Sequence, residues 1–571
     1  MSSTGHRLRE ALLWSVEIVV LLVAFALLHL ARNLHFHTQP PSPQWSRHLT
    51  AGLGSMNTPP GADTMLDESL FLGWAADQGT GYARVTPLGQ IELTGTVPPL
   101  TPEAKVRSVS LARIPLTKEE AVDLFWIETL RTPTLVGAGL DGAGGVVWGP
   151  RPVLDGVRSY ALARSRGPGA PPPRLVVGRD DEIRVYQLPA GAPPAPAGPA
   201  LRWPELYYVD GQVDRSGQLH LVVTGKNETG SVTLSYLTQG ADGAWGEPVT
   251  VAQFRVSDRQ TLRCPRLGLD LERAHVFYSL EDTRPVTGKA VMYYLSFPLE
   301  APAPAQPQKL ALFTDLLGAP SETVNDACPS PGQADSLELA VTSIVGRTRL
   351  RRYQEVVTLR FEGGAAGPPA AACCTRGASL SPILAPTPDG SDQYLAWLDT
   401  AGFRNYRVTV ASTSEAFSRQ LNRMTARDWL GAFLDTLVNL GLALPLTFVA
   451  CFWLTVPFVV VGAGHFFALG WAERRPWPLA LFAIGLHVLG KGYYVHRSFY
   501  GSPLTTVAMP VWMKSGPVVY LIPLALAAVA GFNLWRYSRL HPPRSPIGAY
   551  GRFAAVDTAL TLVLYSPFIL T

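Results

Sequence analysis

The spacing of apolar residues divides the chain into three unlike parts. Ala11 to Ala31 (ALLWSVEIVVLLVAFALLHLA) is a 21-residue apolar run interrupted by one acid, Glu17. As a helix it is long enough to cross about 30 Å of hydrocarbon. From about Trp429 to the last residue the chain is again mostly apolar, and the pattern predicts four more spanning helices, at about 440–469, 477–495, 516–536 and 552–570. Between these ends no helical periodicity lasts beyond two turns. Short strand-like runs such as Val106–Leu111, Leu219–Val223 and Tyr394–Leu398 alternate there with Gly, Pro, Asp and Asn turns. That alternation is an all-β signature.

The strands repeat. Val106-Arg107-Ser108-Val109-Ser110-Leu111-Ala112-Arg113 returns 51 residues later as Val157-Arg158-Ser159-Tyr160-Ala161-Leu162-Ala163-Arg164. Trp203-Pro204, Cys264-Pro265, Cys328-Pro329 and Ser381-Pro382 follow at intervals of 61, 64 and 53 residues. Periods of about 40–60 residues with four short strands each predict β-propeller blades. Six units fit between Val106 and Ser412, and strands within Leu70–Leu93 are expected to pair with the C-terminal end of the repeat and close a seventh. The fold class expected is therefore an all-β propeller of six or seven blades joined to α-helical transmembrane segments. A pair of β-sandwiches is the alternative.

Charge placement orders these parts. His6, Arg7 and Arg9 precede the first span; Arg474 and Arg475, then Arg536, Arg539 and Arg544, fall between later spans. With five crossings all three clusters lie on one side, as basic loops do on the cytoplasmic face. The expected organisation is a cytoplasmic N-terminus (1–10), an anchor helix (11–31), a Pro-rich linker (32–67), an extracytoplasmic propeller (68–415), an amphipathic interfacial helix (416–439) and a C-terminal bundle (440–571) ending outside. In the interfacial helix Asp428, Asp435 and Asn439 share one face and Leu430, Phe433, Leu434 and Leu437 the other. A bacterial inner membrane with a periplasmic propeller is the expected location.

Composition changes this picture little. Only 16% of residues are charged, against roughly 25% in ordinary soluble proteins, and the deficit belongs to the two apolar ends. The 50 prolines and 52 glycines suit the turns of the repeat. A net charge of +4 gives no case for nucleic acid. The lipid bilayer and other membrane or periplasmic proteins are the partners expected. No phosphate loop, dinucleotide fingerprint, H-E-x-x-H or C-x-x-C-H occurs, so neither a cofactor nor a metal is expected. Cys264, Cys328, Cys373 and Cys374 are candidates for disulfides, with three pairings open. Polar residues in or beside the spans are functional candidates because burying them in lipid is costly; these are Glu17, Asp435, Asn439, His487, Lys491 and Asp557.

One local match carries chemistry. Ala112-Arg113-Ile114-Pro115 resembles the Arg-Ile-Pro motif near the start of the sialidase propeller, and Leu124-Phe125-Trp126-Ile127-Glu128 resembles the strand that follows it there. The resemblance implies that Arg113 grips a substrate carboxylate, with two further arginines, an acid and a tyrosine–glutamate pair elsewhere at the mouth; Arg184, Arg263, Arg351, Glu128, Tyr353 and Glu355 are the residues available. The family's repeated Asp-box is not met, and Asp214-Arg215-Ser216-Gly217 and Asp242-Gly243-Ala244-Trp245 read as turns. Without a complete catalytic set, the expected function is a membrane-anchored, non-enzymatic interaction protein whose propeller docks a partner or ligand as a subunit of a larger membrane complex. A membrane-tethered sialidase-like glycoside hydrolase is the alternative, and a transporter or channel component the third reading.

Overall fold

The computed structural model describes residues 3–570 apart from 56–57, 116–119, 167–169, 227–230, 241, 264, 284–289, 313–322, 347–351, 374–376, 403–404, 442–446, 502–508, 542 and 544. Two compact units result, Pro40–Arg347 with Arg351–Arg423, and Met1–Gln39 with Met424–Thr571.

The first unit is a seven-bladed β-propeller. Its seven sheets, antiparallel but for the pairing of Gln333–Ala334 with Arg266–Asp270, open with the strands Gly61–Thr64, Lys105–Pro115, Val157–Ala163, Leu206–Val213, Arg266–Asp270, Val324–Pro329 and Ser379–Pro386. These first strands contact one another in sequence around the axis, and the ring closes where Gly61–Thr64 meets Ser379–Pro386. The second strand of a blade holds an apolar run, as in Leu70–Ala76 and in the Tyr394–Leu398 part of Gln393–Thr400, and in these two strands nearly every residue is buried. Neighbouring blades cover both of its faces, so no polar alternation is needed. First strands alternate instead: Val157–Ala163 buries every other residue.

Closure differs from the sequence expectation. Leu70–Ala76 and Gly79–Val85 do not reach the C-terminal end; they complete a blade of their own with Gly61–Thr64 and Ile91–Val97. The strand that pairs with Tyr406–Ser412 is Leu49–Gly54, from the stretch expected to be linker. Joining the first strand to the last removes an exposed edge. The closing strand is clamped by Trp74, whose Nε1–H donates to Leu53 O at 2.8 Å. Its indole lies flat on two glycines: a Cβ at Gly52 or Gly81 would come within 2.2 or 2.6 Å of it. A glycine at those positions is what lets the ring approach the backbone.

The second unit is helical. Helix α1 spans Ser3–Thr38, seven residues beyond the expected end. Helix α2, Glu415–Leu421, belongs to the propeller unit, where Phe417 packs edge-on against Tyr394. Helix α3, Ala426–Gly441, starts afresh after it, so the expected 416–439 helix is two helices. Thr425 and Asp428 cap the break reciprocally: the Thr425 N–H donates to Asp428 Oδ2 at 2.8 Å and the Asp428 N–H to Thr425 Oγ1 at 3.3 Å. Helices α4 (Thr447–Phe467), α5 (Leu469–Arg474), α6 (Pro476–Val495), α7 (Gly516–Leu540) and α8 (Pro546–Leu570) follow. Among the described residues five helices, α1, α4, α6, α7 and α8, are long and apolar enough to cross a membrane. The apolar face of α3 is exposed, and its polar face turns inward against α1 rather than toward water. Asn33 Nδ2–H donates to Thr436 Oγ1 at 2.9 Å, and His37 Nε2 meets Asp435 Oδ2 at 2.9 Å. Polar side chains on the last turns of α1 supply partners that the sequence pattern of α3 alone does not reveal.

Candidate functional site

The first strands end on one side of the propeller, and their C-terminal ends build a chamber. Asp63, Arg113 and Arg164 stand at or just past the ends of three successive first strands, and Ser165 and Arg166 continue the third. They line a cavity of about 70 Å³ with Thr64, Pro171, Pro331 and Thr387. The repeated octet explains the geometry, because Arg113 and Arg164 are its last residues in adjacent blades. Asp63 organises them. Its Oδ2 accepts the Arg113 backbone N–H at 2.9 Å and lies 3.7 Å from Arg164 Nη1, while Oδ1 accepts the Thr64 N–H at 2.9 Å. Arg164 Nη1–H also donates to Ala62 O at 2.6 Å, and Arg166 Nη2–H to Gly390 O at 3.3 Å. Beside the chamber, Glu120 accepts the Leu66 N–H at 2.8 Å and sits 3.7 Å from Arg113 Nε. Burial pushes the Glu120 carboxyl above its ordinary range, opposed by that N–H and by Arg113. Two guanidinium nitrogens, Arg113 Nη1 and Arg164 Nε, are buried and meet no hydrogen-bond acceptor among the described residues. A buried donor left unpaired costs roughly 1–3 kcal/mol, and more when charged.

Arg166, Ala170, Pro171 and Pro388 are shared with a much larger vestibule of about 1280 Å³. Its walls bring Arg215 and Arg360 together with five acids, Asp335, Glu338, Glu362, Asp389 and Asp392. Arg215 Nη2 meets Asp335 Oδ1 at 3.0 Å and Arg360 Nε meets Glu362 Oε1 at 3.4 Å. The floor therefore carries surplus positive charge and the rim surplus negative charge.

The residues singled out in the sequence fall in several places. Arg113 is on a first strand and faces the chamber. Glu128 is not with it: Arg113 lies opposite Val122 and Glu128 opposite Val106, at the other end of the same strand pair. The Glu128 carboxylate accepts the Trp126 Nε1–H and the Leu100 N–H, both at 2.9 Å. Glu355 is buried on the third strand of the sixth blade, opposite Ser343, and the Tyr353 side chain lies outside the described residues. Asp214 and Asp242 do close turns, each accepting the N–H two residues on. Cys328 is a free thiol on the first strand of the sixth blade. Cys373 Sγ accepts the Val356 N–H at 3.0 Å and lies 3.4 Å from Ser379 Oγ. Cys264 and Cys374 are outside the described residues. The sequence reading did not single out Asp63, Arg164 or Arg166 as site residues, although the repeat already paired Arg164 with Arg113.

In the helical unit three of the polar candidates come together. Asp557 on α8 accepts Lys491 Nζ–H at 2.6 Å on Oδ1 and meets His487 Nε2 at 2.8 Å on Oδ2. All three side chains are fully buried. Tyr550 Oη lies 3.1 Å from His487 Nδ1, and Lys491 Nζ–H reaches Thr561 Oγ1 at 3.4 Å. His487 and Lys491 lie one turn apart on α6, which presents both to the same stripe of α8. Asp435 joins His37 instead, Asn439 is buried on α3, and the Glu17 side chain lies outside the described residues.

No protein-family model and no curated protein matches the chain. Among solved structures, an α-L-arabinofuranosidase from Fusarium graminearum is similar with 10% identity and a TM-score of 0.37, covering 65% of this chain and 98% of that one. A polysaccharide lyase matches with 9% identity and a TM-score of 0.41, over 63% of this chain and 90% of its own. The Trypanosoma rangeli sialidase matches with 9% identity and a TM-score of 0.34, over 65% and 56%. The assignment of seven blades rests on the strand pairing itself.

Proposed function

We propose that this chain is a membrane-held docking protein that captures a partner through the mouth of its propeller. The charge division between floor and rim carries the reading. An anionic group entering the chamber meets the unpartnered donors of Arg113 and Arg164, and hydrogen bonds between charged groups are the strong kind. Whatever flanks that group lies among the five rim carboxylates, which favours cationic residues. The occupant that matches is a protein segment ending in a free carboxylate with lysine or arginine just before it. The apolar helices would hold the propeller at an extracytoplasmic membrane surface, as one subunit of a larger complex.

A sialidase-like hydrolase is the second reading, favoured by one observation: Arg113 lies on a first strand beside two more arginines. Glycoside hydrolysis needs two carboxyl groups flanking the scissile bond. The two carboxylates near the arginines, Asp63 and Glu120, are already engaged by backbone N–H groups and guanidiniums. Docking needs no free catalytic acid, so it accounts for more of the geometry.

The test is a titration of the full-length protein in mild detergent with a short lysine-containing peptide. The free-carboxylate form should bind at least tenfold more tightly than its C-terminal amide at low salt, and Arg164→Ala should erase that difference. Equal binding of acid and amide would refute the reading.

A further inference from the structure

The polar row inside the helical unit is independent of the propeller mouth. Tyr550, Asp557, Thr561 and Tyr565 follow one another on α8 at spacings of seven, four and four, so they form one stripe along the helix. At 1.5 Å per residue the stripe runs roughly 22 Å, most of a hydrocarbon core of about 30 Å. Helix α6 matches it with His487 and Lys491. A π-helical turn, His496–Tyr500, follows α6 and brings Tyr500 Oη to 3.1 Å from Tyr565 Oη; such turns are frequent at functional sites. A structural ion pair requires only Asp557 and Lys491. It does not require a histidine bridged on both ring nitrogens, a threonine beyond the ammonium and a tyrosine pair one turn further on.

We infer that this row is a proton path through the helical unit. With Lys491 as ammonium and Asp557 as carboxylate, the hydrogens have one consistent arrangement. Tyr550 O–H donates to His487 Nδ1, His487 Nε2–H to Asp557 Oδ2, and Lys491 Nζ–H to Asp557 Oδ1 and Thr561 Oγ1. The row is then neutral overall. A proton reaching Tyr550 Oη replaces the hydroxyl hydrogen, which passes to Nδ1 and leaves an imidazolium. The Nε2 proton moves to Asp557, giving a neutral carboxylic acid and a neutral imidazole. Lys491, no longer facing a carboxylate, releases one proton toward Thr561; the Asp557 carboxyl then turns so that the acid hydrogen received on Oδ2 faces Lys491, which takes it in place of the proton released. One proton enters, one leaves, no electrons move, and rotation of the ring and hydroxyl resets the row.

Among the described residues, no charged side chain outside the row meets the cluster. Helix α3, which also packs on α8, turns Asp435 to His37 instead. Helix α4, packed on α6 and α8, carries no Asp, Glu, Lys or Arg; its Phe458 ring covers Tyr550 edge-on, and His465 is near its far end. On α7, Asn533 accepts the Arg552 Nε–H at 3.3 Å, and Arg536 and Arg539 are in the last two turns. On α1, His29 Nε2 meets Val563 O at 3.1 Å and Arg32 lies 4.7 Å over Phe568. The π-turn adds His496 and Arg497; His496 stacks on Tyr520, and Arg497 donates to Tyr493 Oη.

The test is proton flux into proteoliposomes of the full-length protein, driven by a potassium diffusion potential and read by an entrapped pH dye. Wild type should exceed protein-free vesicles at least tenfold. Tyr550→Phe, which removes only the entry hydroxyl, should lower the flux at least tenfold with the melting temperature unchanged. The double variant Lys491→Met/Asp557→Asn, which keeps an uncharged acceptor for His487, should abolish it. Wild-type flux equal to that of empty vesicles overturns the inference, as does a folded Tyr550→Phe protein that conducts like wild type.

Discussion

Replacing Lys491 alone with methionine is expected to cost about 3–5 kcal/mol of stability, because it leaves the Asp557 carboxylate buried without its counter-charge. Asp557→Asn alone should cost a similar amount by stranding the ammonium. The double variant should return to within about 1 kcal/mol of wild type, since His487 Nε2–H keeps an oxygen acceptor and no charge remains buried. Paired charges desolvated together repay little more than an uncharged pair of similar shape, whereas one partner alone is expensive. Thermal unfolding of the four proteins in detergent, followed by the helical circular dichroism signal, measures the cycle. A double variant as unstable as the sum of the two singles would mean that the residues act separately.

The second large effect concerns pH. Asp123 lies on the second strand of the second blade, 1% exposed, where one oxygen accepts the Trp148 Nε1–H at 3.0 Å and the other meets no hydrogen-bond partner among the described residues. Burial raises its carboxyl to about 7, with the Trp148 bond opposing. The folded protein therefore holds a proton there between about pH 4 and pH 7 that the unfolded chain has lost. Stability from this group is complete below the unfolded value of 3.8 and drains away as pH rises through about 7. At 1.36 kcal/mol per pH unit the swing is on the order of 4 kcal/mol. Asp123→Asn keeps an acceptor for the indole and cannot ionise. The melting temperature of the variant minus that of wild type should therefore rise from pH 5 to pH 8, followed by near-ultraviolet circular dichroism. A difference that stays flat would show that Asp123 ionises normally.

The sequence made the repeat legible through its first strands: the Val106–Arg113 octet returns at Val157–Arg164, the X-Pro pairs that follow recur every 53 to 64 residues, and such periods admit few other folds. It hid the closing strand. Leu49–Gly54 and Gly61–Thr64 are short, rich in Gly, Ala and Thr, and set among prolines, so neither offers an alternation to read. Leu49–Gly54 is paired by a distant partner, Tyr406–Ser412, and Gly61–Thr64 by its neighbour Leu70–Ala76. The chamber was half visible. The octet repeat put Arg113 and Arg164 in equivalent places, but Asp63 and Arg166 lie outside it and converge only because the blades form a ring. The cluster in the helices had its members named singly. That Asp557 meets His487 and Lys491 depends on how α6 and α8 pack, and the 66 and 70 residues between the partners leave no local signal.

The proposed docking surface is the mouth of the propeller. Photo-crosslinking from single positions in the native membrane tests this most directly, with the reactive side chain placed at Asp335 or Glu362 on the rim, or at Val147 on an outer strand. The rim positions should each yield the same discrete protein adduct, lost when Arg113 and Arg164 are both replaced by alanine, while Val147 should yield none. Adducts from Val147 with none from the rim would place the partner on the outer blades and contradict the account.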